Sequence, residues 1–94
     1  MDDLQFTWDP AKAEANFKKH GVSFEDAATV FRNPLAKVLP DPTHSEHERR
    51  SLIIGHSAQG GLLLVVFTDK NDRIRIISAR EASARERREY EEHS

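Results

Sequence analysis

Six arginines crowd residues 73–88 against two acids, Glu81 and Glu86, a local excess of four positive charges. Arg73, Arg75, Arg80, Arg85, Arg87 and Arg88 straddle the point where a strand-like stretch, Arg-Ile-Arg-Ile-Ile-Ser, passes into a helix-like one. A guanidinium is a planar fork whose donors match two phosphate oxygens. A helix start adds backbone N–H groups without intrahelical partners, which favour an anion. With Arg80 beside that start, the junction has the makings of a phosphate site. The plainer alternative is that these arginines pair with Glu81, Glu86 and Glu89 on solvated faces, and composition alone leans that way.

Two other clusters carry titratable groups. Lys18-Lys19-His20-Gly21 offers an imidazole for proton transfer, with Lys19 as a supporting cation. The same residues equally suit the carbonyl end of a helix, where positive charge is favoured. Residues 41–48, Asp-Pro-Thr-His-Ser-Glu-His-Glu, gather His44, Glu46, His47 and Glu48. They lack the spacing that sets two ligands on one helical face, so a polar linker is expected there and no metal site. There is no Gly-rich phosphate loop, Ser-His-Asp signature or nucleophile elbow. Chemistry on a phosphodiester by Arg, Lys and His is the enzymology these residues support.

The elements that must position them are legible in outline. Residues 5–8 read as a short strand. Asp9-Pro10 reads as N-cap and first position of a helix over 11–20, closed by Gly21. Ser23 and Asp26 make a variant capping box for a second helix, with Val22 and Ala27 as a staple. Phe24, Ala27, Ala28 and Phe31 give that helix one apolar face, and Asn33-Pro34 stops it. Strands are predicted at 35–39, 49–57, 62–68 and 73–78. The third is almost wholly apolar, as a central strand covered on both faces would be. Strict alternation in the last places Arg73, Arg75 and Ile77 opposite Ile74 and Ile76. Ser83 with Glu86 is the better capping box for a final helix, and Ser78 with Glu81 the rival. That helix has little apolar surface besides Tyr90, so it is frayed, held by side-chain stems or completed by a partner. The fold class is α+β: a short strand, two N-terminal helices on one sheet face, an antiparallel meander of four strands and a C-terminal helix.

The 94 residues fit one domain, 1–94, with a modest core. A net charge of −2 counts against indiscriminate nucleic-acid binding, so any polyanion must be held by a local field. No cysteine is present, which excludes disulfides and Cys-based zinc sites. No apolar run approaches a membrane span, and the acidic start is unlike a signal peptide, so a cytoplasmic protein is expected.

Several segments together resemble the BrnT toxins of type II toxin–antitoxin systems. They are Trp8-Asp9-Pro10, Lys19-His20-Gly21-Val22, His44-Ser45, and Ile77-Ser78-Ala79-Arg80 followed by Glu86-Arg87-Arg88-x-Tyr90. The resemblance covers almost the whole chain in order and spacing. It implies a RelE-like fold, an endoribonuclease that inhibits growth by cutting RNA without metal or other cofactor, and a BrnA-like ribbon-helix-helix antitoxin. Operator DNA would be reached only through the toxin–antitoxin complex. Arg80 is then expected to stabilise the phosphorane, aided by Arg75. His20 or His44 would move the proton, with Lys19 in support and Glu46 as another base. Arg49, Arg73, Arg75, Ser78, Arg87 and Tyr90 are the expected RNA contacts. The alternative is a non-catalytic binding or regulatory module with the same antitoxin partner, and a hydrolase using a metal at 44–48 stands third.

Overall fold

The computed structural model describes residues 4–40 and 49–92. Helix α1 (Pro10–His20) begins where the Asp9 carboxylate accepts the Ala11 N–H at 2.9 Å, and Pro10 needs no donor there. It ends at Gly21, whose φ of 72° is the left-handed conformation a side chain resists. Helix α2 (Phe24–Thr29) starts where Ser23 Oγ accepts the Asp26 N–H at 3.0 Å. The box is only half closed, because Asp26 Oδ1 turns away to accept the Gln59 N–H at 3.4 Å. The apolar spacing to Phe31 predicts one continuous helix. Instead α2 tightens after Thr29 into a single 3₁₀ turn, Val30–Arg32, which Asn33 closes by donating to the Val30 carbonyl at 3.0 Å.

The sheet order is β1-β5-β4-β3-β2. Strands β2 (Lys37–Pro40), β3 (Ser51–His56), β4 (Leu62–Lys70) and β5 (Arg73–Glu81) form the antiparallel meander, and β1 (Gln5–Thr7) adds a parallel strand outside β5. The sheet is therefore mixed, with β4 central as its apolar sequence requires. Asn71 and Asp72, at φ 54° and 61°, make the two-residue turn between β4 and β5. Two left-handed residues match the twist of the strands they join, and Asn and Asp tolerate that conformation best after glycine.

One face of the sheet is covered. Phe24, Ala27 and Val30 lie over Ile53, Val65, Phe67, Ile74 and Ile76. Phe31 meets Phe6 and Phe67 edge-on, with centroids at 5.3 and 4.9 Å, and Trp8 meets Phe24 at 5.8 Å. Trp8 is thus part of this core. Strand β3 passes close beneath the 3₁₀ turn, and a Cβ at Gly55 would stand 2.7 Å from Ala36 Cβ. Only glycine fits there. The opposite face carries a smaller cluster, Ile54 and Leu62 with Tyr90 of α3 (Ala84–Glu92).

Candidate active site

The arginine face is made by one irregular residue. Arg73 and Arg75 are exposed and Ile74 and Ile76 buried, as alternation requires. Phe67 then pairs with Ile76 but Val66 with Ser78, so Ile77 is an extra residue without a partner in β4. This bulge inverts the phase of the strand beyond it. Ala79 joins the helix-covered core, while Ser78 and Arg80 turn to the other face, the one that carries Arg73 and Arg75 further along the strand. Strict alternation would have sent Arg80 under the helices. Two expectations are corrected here: Ile77 does not continue the arginine face, and the strand runs past Ser78 to Glu81, placing Arg80 inside it.

Asn16 of α1 holds this part of β5 in place. Strand β1 stops at Thr7, opposite Arg75. Further along, Asn16 Oδ1 accepts the Ala79 N–H at 3.0 Å, and Nδ2 donates to the Ala79 carbonyl at 2.8 Å and to Val22 at 3.1 Å. A buried amide thus serves as one residue of an adjoining strand, next to Arg80.

Ser83 and Glu86 start α3 with a full capping box: Ser83 Oγ accepts the Glu86 N–H at 3.1 Å and Glu86 Oε1 the Ser83 N–H at 2.8 Å. The Ser78–Glu81 start is not used. The carboxylate that closes the box also receives Arg80, Nη1 to Oε1 at 2.8 Å and Nη2 to Oε2 at 2.9 Å. The helix start beside Arg80 therefore already holds a carboxylate, where the sequence suggests an open anion site. The two hydrogen bonds from Arg80, more than the Ser83 donors, hold the Glu86 carboxyl down at about 2 against its partial burial. The same bond raises the Arg80 guanidinium above its ordinary value. A lowered acid stabilises the fold above its unfolded value, 4.5, and loses that contribution as pH falls toward 2. Because both side chains are about one-third exposed, the contribution is about 1 kcal/mol. Thermal melts between pH 5 and 2 (roughly, the window of that titration) are expected to fall more steeply for the native protein than for Glu86→Gln.

Tyr90 supplies what α3 lacks in apolar surface. It is only 6% exposed, packs on Ile54 and Leu62, and donates its hydroxyl to the Leu35 carbonyl at 3.0 Å. The Lys37 ammonium lies 5.4 Å from its ring centroid. So Tyr90 anchors the helix, and its ring is not presented for stacking on a base. Its outer edge borders a groove of about 440 Å³ floored by Leu39, Leu52 and Leu64.

At the other end of the same face, Arg49, Arg73 and Arg75 border a polar depression of about 730 Å³, joined by Lys70 and by Asp69. Lys70 escapes the sequence reading, although a two-residue turn at 71–72 pairs it with Arg73 and so signals it. Ser78 lies half-buried on this face, opposite Val66. Arg87 stands on α3, 3.9 Å from Glu91. Lys19 and His20 are exposed at the end of α1 and line neither depression. His44 and Glu46 lie outside the described residues. Among the described residues no three metal-ligating side chains cluster.

The model of the family described as "Ribonuclease toxin, BrnT, of type II toxin-antitoxin system" matches residues 8–86, from the Trp8 of the core to the Glu86 that holds Arg80. The chain belongs to the BrnT family. It is also similar to the Brucella abortus ribonuclease toxin, BrnT, known from a crystal structure, with 29% identity and a TM-score of 0.65 over 85% of this chain and 97% of that one. No curated protein matches it. The BrnT family is one of ribonuclease toxins of type II systems, so an antitoxin partner goes with membership. Among the described residues, no helix is long and apolar enough to cross a membrane.

Proposed function

We propose that this BrnT-family toxin is a metal-independent endoribonuclease of RelE-like design whose cleavage of RNA stops translation and growth. The observation that carries the reading is the bulge at Ile77, which sets Arg80 on the same sheet face as Arg73 and Arg75, away from the N-terminal helices. The RNA 2′-hydroxyl loses its proton and its oxygen attacks the adjacent phosphorus. The 5′-oxygen then departs with a proton, leaving a 2′,3′-cyclic phosphate and a 5′-hydroxyl. Charge grows on the non-bridging oxygens of the phosphorane, where Arg80 acts with help from Arg75. Arg49, Lys70 and Arg73 hold the neighbouring backbone, with Ser78 and Arg87 on its path. Proton transfer falls to His20, with Lys19, or to His44, with Glu46 as the alternative base. A BrnA-like ribbon-helix-helix antitoxin covers the toxin in the cytoplasm, and the pair binds operator DNA through the antitoxin.

The test is cleavage of RNA by the purified chain in excess EDTA, with the ends of the products identified. Undiminished cleavage leaving cyclic phosphate and 5′-hydroxyl ends is expected. Complete loss of cleavage, restored by Mg²⁺ or Mn²⁺, would contradict the reading and direct attention to residues 41–48.

A further inference from the structure

We propose that Glu86 is a positioning residue for Arg80: it fixes the guanidinium so that the Nε–Nη2 edge faces an incoming phosphate. The inference rests on the reading that Arg80 receives the scissile phosphate, and adds how Arg80 is aimed.

A guanidinium has five N–H donors in one plane. Arg80 Nη1 spends its two on Glu86 Oε1 at 2.8 Å and on the Glu81 carbonyl at 3.2 Å. Nη2 spends one on Glu86 Oε2 at 2.9 Å. Three donors thus fasten the group to the protein. Among the described residues nothing accepts from the other two, on Nε and Nη2, which lie parallel along one edge and form a second fork of the shape that two phosphate oxygens accept. The Arg80 side chain is 39% exposed, so the group as a whole is open to solvent.

Glu86 is itself held. Its Oε1 accepts the Ser83 N–H, and its own N–H is bound by Ser83 Oγ, within a helix that Tyr90 fastens to the sheet. The chain of contacts runs from the core cluster through α3 to the guanidinium plane. An arginine fixed at three points loses little freedom when it meets the transition state, whereas a free one must be ordered during the reaction. The contrary view treats Glu86 as a mask that occupies Arg80 until RNA displaces it. The two views predict opposite changes in rate.

The experiment measures kcat and KM for RNA cleavage by native protein, Glu86→Gln, Arg80→Ala and the double variant. Glutamine retains the N3 acceptor of a capping box, so the helix start survives. Positioning predicts that Glu86→Gln lowers kcat about 10- to 100-fold without raising KM, since a misaligned group costs rate more than binding. It also predicts that Glu86→Gln causes no further loss once Arg80 is alanine, because the effect travels through Arg80. A kcat at or above native for Glu86→Gln, a loss confined to KM, or losses that multiply in the double variant would each overturn it. The underlying reading fails separately, if Arg80→Ala alone cleaves at the native rate.

Discussion

Asn16→Ala is expected to destabilise the protein by about 3–5 kcal/mol, a large share of what a domain of this size has to spare. Three hydrogen bonds disappear together, and two of them satisfy both backbone groups of Ala79. Each buried polar group left without a partner costs about 1–3 kcal/mol, and truncation opens a cavity besides. Asn16→Asp tests the same point without the cavity. A carboxylate still accepts the Ala79 N–H, but it cannot donate to the carbonyls of Ala79 and Val22, and its charge would be 7% exposed in relative area. Urea denaturation of both variants, with exposed Lys12→Ala as a reference near zero, measures this. A cost below about 1 kcal/mol for Asn16→Ala would mean that the amide is not a structural substitute for a strand residue.

The sequence reveals what is decided locally and conceals what depends on register. The caps of α1 are legible because Asp9, Pro10 and Gly21 act on backbone groups within a few residues of themselves. The capping box of α3 is legible for the same reason, and so is the apolar centre of the sheet. Asn16 is invisible, because its partner at Ala79 lies 63 residues away and a mid-helix asparagine reads as an ordinary polar residue. The Ile76-Ile77 doublet announces that alternation breaks. It does not say that the break is a bulge, because that is fixed by the pairing of Val66 with Ser78 across the sheet. The direction in which Arg80 points is set by that pairing alone.

The candidate site divides along the same line. The concentration of arginine at the end of β5 is plain in the chain, and so are Glu86 and Tyr90 as residues apart from their neighbours. Their division of labour is not. Tyr90 reads as an RNA contact until its ring is seen buried on Ile54 and Leu62. Glu86 reads as a surface partner until its carboxylate is seen joining the helix cap to Arg80. Arg49 and Lys70 reach the arginine face from just before β3 and from the end of β4, an arrangement that only the folded sheet assembles.

Arg80→Ala is expected to slow RNA cleavage by about two orders of magnitude, the effect of removing one preorganised donor worth about 3 kcal/mol in the transition state. Arg80→Lys should recover only part of it, because an ammonium keeps the charge but not the planar fork. Stability should change little by comparison: the pair with Glu86 is partly exposed, and its loss costs about 1 kcal/mol. The decisive measurement is the single-turnover cleavage rate of native protein and Arg80→Ala on one RNA, with melts showing that both are folded. A roughly hundredfold slower variant with a near-native melt is the result this account predicts. A folded Arg80→Ala protein that cuts RNA at the native rate would contradict it.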